Sequence, residues 1–176
     1  MRPTLDGPRV RLRPGETGDI RQLLALLREP SVAAWWNEPP GEAEVADLLA
    51  GREHDGVMLA IEVEGAVAGG IQLWEELDPE YRHAGIDVFL GSRWQGYGLG
   101  GEAVWLAARY LFEERGHHRL TIDPSAGNAR AIRCYERLGF RPVGVLRQYE
   151  RGPDGQWRDG LLMDMLTGEL LRPTPA

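Results

Sequence analysis

Asp87 heads the stretch where this chain concentrates its chemistry: Asp87-Val88-Phe89-Leu90-Gly91-Ser92-Arg93-Trp94-Gln95-Gly96-Tyr97-Gly98-Leu99-Gly100-Gly101. An apolar strand carrying a carboxylate runs into glycines and then into a helix start. Glycine lets the backbone approach a ligand closely and adopt positive φ. A helix start offers unpaired N–H groups and the positive end of the dipole to an anion. The stretch predicts a phosphate-bearing cofactor at Gln95 to Gly101, with Asp87 on its strand side.

Other residues add chemistry with two readings each. Asp123-Pro124 is either a ligand for a substrate ammonium or a turn start. Asn128 suits a helix N-cap, and Tyr135 shares a helical face with Ile132 and Leu138, as a packed tyrosine would. The run Glu75, Glu76, Asp78, Glu80 is a rim for a polycation or a solvated loop. Trp35 and Trp36 either wall a cleft, stacking on a sugar, or anchor the core. His83 lies on the Asp87 face of its strand and is a reserve base. His54, His117 and His118 lack metal-ligand spacing, so no metal is expected. Cys134 reads as packing.

Composition narrows the classes. A net charge of −7 argues against a nucleic-acid partner and suits a small cationic substrate. The chain contains no lysine, which excludes lysine Schiff-base chemistry and a P-loop. One cysteine permits no intrachain disulfide. The beginning of the chain lacks the apolar run of a signal peptide, and no segment is apolar enough to span a bilayer. A cytoplasmic protein without a membrane partner is expected.

Behind these residues stands a mixed α/β domain covering 1–176, with 172–176 a frayed tail. Alternation predicts an opening strand over Arg9-Val10-Arg11-Leu12-Arg13. Asp19 caps a helix bearing Ile20, Leu23, Leu24 and Leu27, which Pro30 stops. A second helix runs from Glu42 to Leu49. Val57 to Glu64 and Val67 to Trp74 form a hairpin. In the strand His83 to Leu90, Ala84, Ile86, Val88 and Leu90 make the apolar face, and Asp87 faces away from it. A long helix follows the glycines, then the strand Arg119 to Asp123, a helix from Asn128 to Gly139, and a closing hairpin of Val143 to Glu150 with Trp157 to Met165.

Two patterns compete for the glycines. Gly96-Tyr97-Gly98-Leu99-Gly100-Gly101 satisfies the dinucleotide fingerprint G-x-G-x-x-G, with Asp123 about 20 residues beyond. That fold puts its first glycine directly after the strand, whereas Ser92 to Gln95 intervene here. It also needs repeated βαβ units, for which too little chain remains. Gln95 to Gly100 also reads Q-x-x-G-x-G, which resembles the coenzyme A pyrophosphate loop of the GNAT acyltransferase superfamily. Asn128 to Phe140 matches that family's second signature, N-x-x-A-x-x-x-Y-x-x-x-G-F, and the order of elements is similar along nearly the whole chain. Gly85-Ile86-Asp87, Asp123-Pro124-Ser125, Asn128, Arg130 to Glu136 and Trp35-Trp36 resemble the aminoglycoside 6′-N-acetyltransferases most. Val88 departs from the glutamine common there.

The resemblance implies a single-domain GNAT fold, with a mixed sheet of about 6–7 strands and about 4 helices. It implies acetyl-coenzyme A as acyl donor, bound by Val88, Phe89, Leu90, Gln95, Gly96, Tyr97, Gly98, Leu99, Gly100, Gly101, Asn128 and Tyr135. Asp87 would take the amine proton and Tyr135 would protonate the leaving thiolate, by direct transfer in a ternary complex. Trp35, Trp36, Glu75, Glu76, Asp87 and Asp123 would bind the acceptor. An aminoglycoside 6′-amine is the leading acceptor, which would make the chain an antibiotic-resistance enzyme. A protein N-terminus, a polyamine, a siderophore-precursor hydroxylamine or a non-catalytic acyl-coenzyme A sensor are the alternatives. The expected assembly is a monomer or homodimer.

Overall fold

The computed structural model describes residues 3–36, 41–51, 56–152 and 154–173. The tryptophan-loop residues Asn37 to Pro40, His54, Pro153 and the tail residues Thr174 to Ala176 lie outside them.

The chain order is β1 (Leu5–Asp6), β2 (Arg11–Pro14), α1 (Ile20–Leu27), α2 (Pro30–Ala33), α3 (Glu42–Ala50), β3 (Val57–Val63), β4 (Ala66–Glu76), β5 (His83–Leu90), α4 (Leu99–Glu113), β6 (Arg119–Ile122), α5 (Ala129–Leu138), β7 (Arg141–Arg151) and β8 (Trp157–Leu166). Short 3₁₀ turns at Thr17–Asp19 and Ser92–Trp94 precede α1 and the glycine loop. The strands form one mixed sheet in the order β1-β2-β3-β4-β5-β6-β8-β7. Neighbours are antiparallel except β5 and β6.

The described residues thus hold eight strands and five α-helices, more than the 6–7 and 4 expected. Local causes account for the difference. The N–H groups of Arg9 and Val10 donate to Glu102 Oε1 at 2.7 and 3.0 Å, so the opening strand starts only at Arg11. Before that bend, Leu5 and Asp6 pair back with Leu12 and Arg11 as an added strand. Pro30 begins α2 rather than ending α1, because the first helical turn needs no proline N–H. Asp19 makes no side-chain cap to α1. Its carboxylate takes Arg13 at 2.7 and 3.0 Å and the N–H of Glu16 at 2.8 Å, tying the turn to β2.

Helices cover both faces of the sheet. Ala84, Ile86 and Leu90 pack with Ala103, Val104, Leu106, Ala107 and Leu111 of α4 and Leu138 of α5. Phe89 points the other way, into a second core with Leu23, Leu24 and Leu27 of α1 and Val45, Leu48 and Leu49 of α3. The Asp87 face of β5 is therefore covered at the Phe89 end.

The acidic loop after β4 splits between these faces. Asp87 lies opposite Gln72 on β4, so Gln72 shares its face, and Glu75, three residues on, points to the other. There Glu75 accepts His117 Nε2 at 2.6 Å and Arg115 at 3.1 Å, at the end of α4. The ionised carboxylate only accepts, so His117 carries its proton on Nε2. Burial raises the Glu75 pKa, but the His117 and Arg115 hydrogen bonds outweigh it and hold the carboxyl below its usual value. A carboxylate depressed in this way stabilises the fold at neutral pH, and the contribution is lost as acid protonates it. Glu75→Ala leaves a buried imidazole N–H unpaired and is expected to cost about 2 kcal/mol of unfolding free energy. Acetyl transfer per folded molecule should stay unchanged. Denaturant titration alongside an activity assay checks both, and activity lost at full stability would return Glu75 to the acceptor site.

Candidate active site

The site opens where β5 and β6 part. β4 pairs with β5 along its whole length, from His83 to Leu90. β6 meets β5 only at Ala84–Leu120 and Gly85–Thr121. Beyond Gly85 no described strand pairs with the outer edge of β5, and α5 faces it across a cleft. The cleft has two arms that share Trp35, Trp36, Val88, Asn128, Ala131 and Tyr135.

The first arm runs along Val88 to Leu90 to the glycine loop. Gln95 Nε2 donates to the Leu90 carbonyl at 2.7 Å, folding the loop back on the strand end. Gly96 and Gly98 take φ of 87° and 78°, which residues with a Cβ disfavour. Gly98 is the N-cap of α4, and the first helical hydrogen bond runs from the Glu102 N–H to the Gly98 carbonyl at 3.1 Å. The N–H groups of Leu99, Gly100 and Gly101 precede it and have no partner within the helix. Arg130 and Arg137 of α5 line the same arm. Seven residues apart on one helix, they lie on one face, which is the signal that would have singled them out in the sequence. Glycine backbone, helix start and two guanidinium groups suit a pyrophosphate.

Two of the expected cofactor residues contribute differently. Phe89 is buried beneath Trp36, with ring centroids 5.1 Å apart, and offers the arm little beyond its strand backbone. Tyr97 is 60% exposed and turned toward a depression beside Arg9 and Arg11. Its carbonyl accepts Arg9 Nη1 at 2.8 Å, while Arg9 Nε holds Glu102 at 3.0 Å. That Arg9–Glu102 pair fixes the loop to the first turn of α4.

The second arm is lined by Gln72, Asp87, Asp123, Ser125 and Glu150. Asp87 of β5 and Asp123, directly after β6, thus come together where the two strands diverge. Burial, reinforced by the negative charge of Asp123, raises the Asp87 pKa to about 7. Such a carboxylate is a far better proton acceptor near neutrality than an ordinary one. No sequence pattern marks Glu150, which also lines this arm. It sits on β7, where its pKa is raised by burial and Asp123 while a hydrogen bond with Ser125 opposes the rise. Glu75 and Glu76 are not brought to this arm. Glu75 is on the opposite face, and Glu76 ends β4, accepting the Asp78 N–H at 2.9 Å. The carboxylates of the cleft are Asp87, Asp123 and Glu150 instead. His83 is also turned away, with Nδ1 at 2.7 Å from the Tyr81 carbonyl.

Tyr135 stands where the arms meet. It is 8% exposed, and its ring meets Phe140 edge-on. Burial, with the charges of Cys134, Asp87 and Asp123, raises its pKa far above the usual phenol range, so it keeps its proton. Asn128 Oδ1 accepts the Ala131 N–H at 3.2 Å, capping α5, and the residue lines both arms. Trp36 packs on Phe89, while Trp35 is 37% exposed at the mouth. Among the described residues no cluster of three or more His, Cys, Asp or Glu is placed to hold a metal ion, and no helix is long and apolar enough to cross a membrane.

Comparison with known proteins bears on this geometry. Residues 9–141 match the model of the acetyltransferase (GNAT) domain. Spermidine N(1)-acetyltransferase of Escherichia coli (strain K12) is 33% identical over 158 residues, covering 88% of this chain and 84% of that one. Aminoglycoside N(6′)-acetyltransferase type 1 of Klebsiella pneumoniae is 30% identical over 164 residues, covering 83% and 79%. The crystal structure of a GCN5-related N-acetyltransferase from Brucella melitensis superposes with a TM-score of 0.78 at 26% identity, over 96% of this chain and 80% of that one. Two charge-segregated arms meeting at a buried tyrosine thus occur in a chain that belongs to the GNAT acetyltransferase family, an enzyme family that uses acetyl-coenzyme A.

Proposed function

We propose that this enzyme acetylates a primary amine of a small polycationic molecule, with an aminoglycoside 6′-amine as the leading acceptor. One observation carries the reading: a basic, glycine-lined arm and an acidic arm holding Asp87 meet at Val88 and Tyr135. Acetyl-coenzyme A supplies the acetyl thioester. Its anionic end fits the N–H groups of Leu99 to Gly101 with Arg130 and Arg137. The free edge of β5 from Val88 to Leu90 suits an extended amide-bearing arm, and a backbone N–H there stabilises negative charge developing on the carbonyl oxygen.

Asp87 binds the acceptor as an ammonium and takes its proton, directly or through water, freeing the lone pair for attack. Tyr135, still protonated, delivers a proton to the leaving sulfur. Trp35 presents an indole to the mouth, where a sugar ring would stack. The spermidine relative's higher identity favours a second reading, a linear polyamine as acceptor.

Thiol release from acetyl-coenzyme A, measured against aminoglycosides, polyamines and peptides, tests the proposal. Aminoglycosides are expected to give the highest kcat/KM and peptides the lowest. A preference for peptides would overturn the small-molecule acceptor, and silence with every amine would favour an acyl-coenzyme A sensor.

A further inference from the structure

The glycine loop has two sides. Gly96, Gly98 and Gly100 line the cleft arm, whereas Tyr97 lines the depression behind it, with Arg9 and Arg11. Between these sides the backbone reverses its hand. Gly98 takes φ of 78° and ψ of 0°, in the left-handed region, and Leu99 opens α4. A left-handed residue followed by a right-handed one curls successive N–H groups into a concavity that holds anions. Here those groups belong to Gly98, Leu99 and Gly100.

Support for this curl comes from behind, from the segment between β1 and β2. Glu102, buried in the first turn of α4, accepts the N–H groups of Arg9 and Val10 at 2.7 and 3.0 Å. Gly7 admits that approach, since a Cβ there would lie 2.9 Å from Glu102 Oε1. Arg9 Nε is a third donor to Glu102, at 3.0 Å, and Nη1 reaches on to the Tyr97 carbonyl at 2.8 Å. One planar guanidinium thus joins a buried carboxylate to a loop carbonyl, a fork that the single nitrogen of lysine does not provide. A trans peptide sends its carbonyl and its N–H in opposite directions. With the Tyr97 carbonyl drawn back to Arg9, the Gly98 N–H of the same peptide is turned away from Arg9.

We propose that Arg9 is a positioning residue for the acyl donor: held by Glu102, it draws the Tyr97 carbonyl back and so aims the Gly98 N–H, with those of Leu99 and Gly100, at the coenzyme A pyrophosphate. Arg9 stays behind the loop and acts through its backbone. Released from Arg9, the Tyr97–Gly98 peptide is free to turn, and its carbonyl oxygen would then set a negative partial charge against the anion in place of a donor. This inference rests on the cofactor-arm reading above, and its test separates the two.

Calorimetric titration of the wild type, Arg9→Met and Arg9→Lys compares two ligands. Dephospho-coenzyme A carries the pyrophosphate and no other phosphate, and pantetheine carries none. The wild type is expected to bind dephospho-coenzyme A more tightly. Both variants should lose about tenfold of that preference, the effect of one hydrogen bond to a charged group, with pantetheine affinity unchanged. Arg9→Lys keeps a cation beside Glu102 and controls for charge. Full preference in Arg9→Lys with loss in Arg9→Met would assign the effect to charge alone and overturn the proposal. Equal weakening of both ligands would make Arg9 merely structural and overturn it too. Preference kept in both variants overturns the proposal and leaves the cofactor arm standing. A wild type that binds the two ligands equally overturns the cofactor-arm reading and the proposal together.

Discussion

Asp87→Asn is expected to lower kcat/KM for the acceptor amine by about 10²- to 10⁴-fold, the range for loss of a positioned general base. Asparagine keeps the shape of the side chain and a hydrogen-bond acceptor but cannot take the proton. The pH profile supplies the sharper test. With the Asp87 pKa raised to about 7 by burial and the neighbouring Asp123 charge, wild-type kcat/KM rises as pH increases through about 7, where the base ionises. That limb should vanish in Asp87→Asn, leaving a low rate governed by the amine itself. Stability should move the other way. A carboxyl whose pKa is raised by folding favours its neutral form in the native state, so the fold loses stability as pH rises through 7. Asp87→Asn removes that cost and should melt no lower than the wild type at pH 8. An unchanged rate with an unchanged profile would remove Asp87 as the base.

Tyr135→Phe is expected to reduce kcat about 10²-fold, at the low end for a general acid, while the KM for acetyl-coenzyme A changes little. Phenylalanine retains the ring that meets Phe140 and loses only the hydroxyl. The direction of the shift supports the role: burial and nearby negative charge hold the phenol protonated throughout the working range. A packing tyrosine alone would leave kcat intact. A thioester with a more acidic leaving thiol should lose less activity in the variant, because that thiolate departs without protonation. Equal losses with both thioesters would remove the acid role.

Much of the cofactor arm was legible because its determinants are local. Glycines at 96 and 98, the strand before them and the apolar periodicity after them lie within one short run of chain. The N-cap at Asn128 and the spacing of Tyr135 on the next helix are equally local. Arg130 and Arg137, seven residues apart on that helix, are local in the same sense.

The acidic arm was less legible. The run from Glu75 to Glu80 packs four acids into six residues, yet a sheet divides successive residues between its faces. Glu75 went to the far side and found His117 and Arg115, while Glu76 and Asp78 closed their own turn. Glu150 has no local mark in a closing hairpin, because β8 inserts between β6 and β7 and the strand bulges at Gln148. Neither the insertion nor the bulge has a signature within β7 itself.

By itself, then, the sequence determined the anion cradle, the helix that carries Tyr135 and the face of β5 on which Asp87 stands, since turn chemistry and periodicity act between near neighbours. Tertiary structure decided which other carboxylates join Asp87. Asp123 and Glu150 reach the cleft only through the parting of β5 from β6 and the β7 bulge, contacts between segments far apart in the chain.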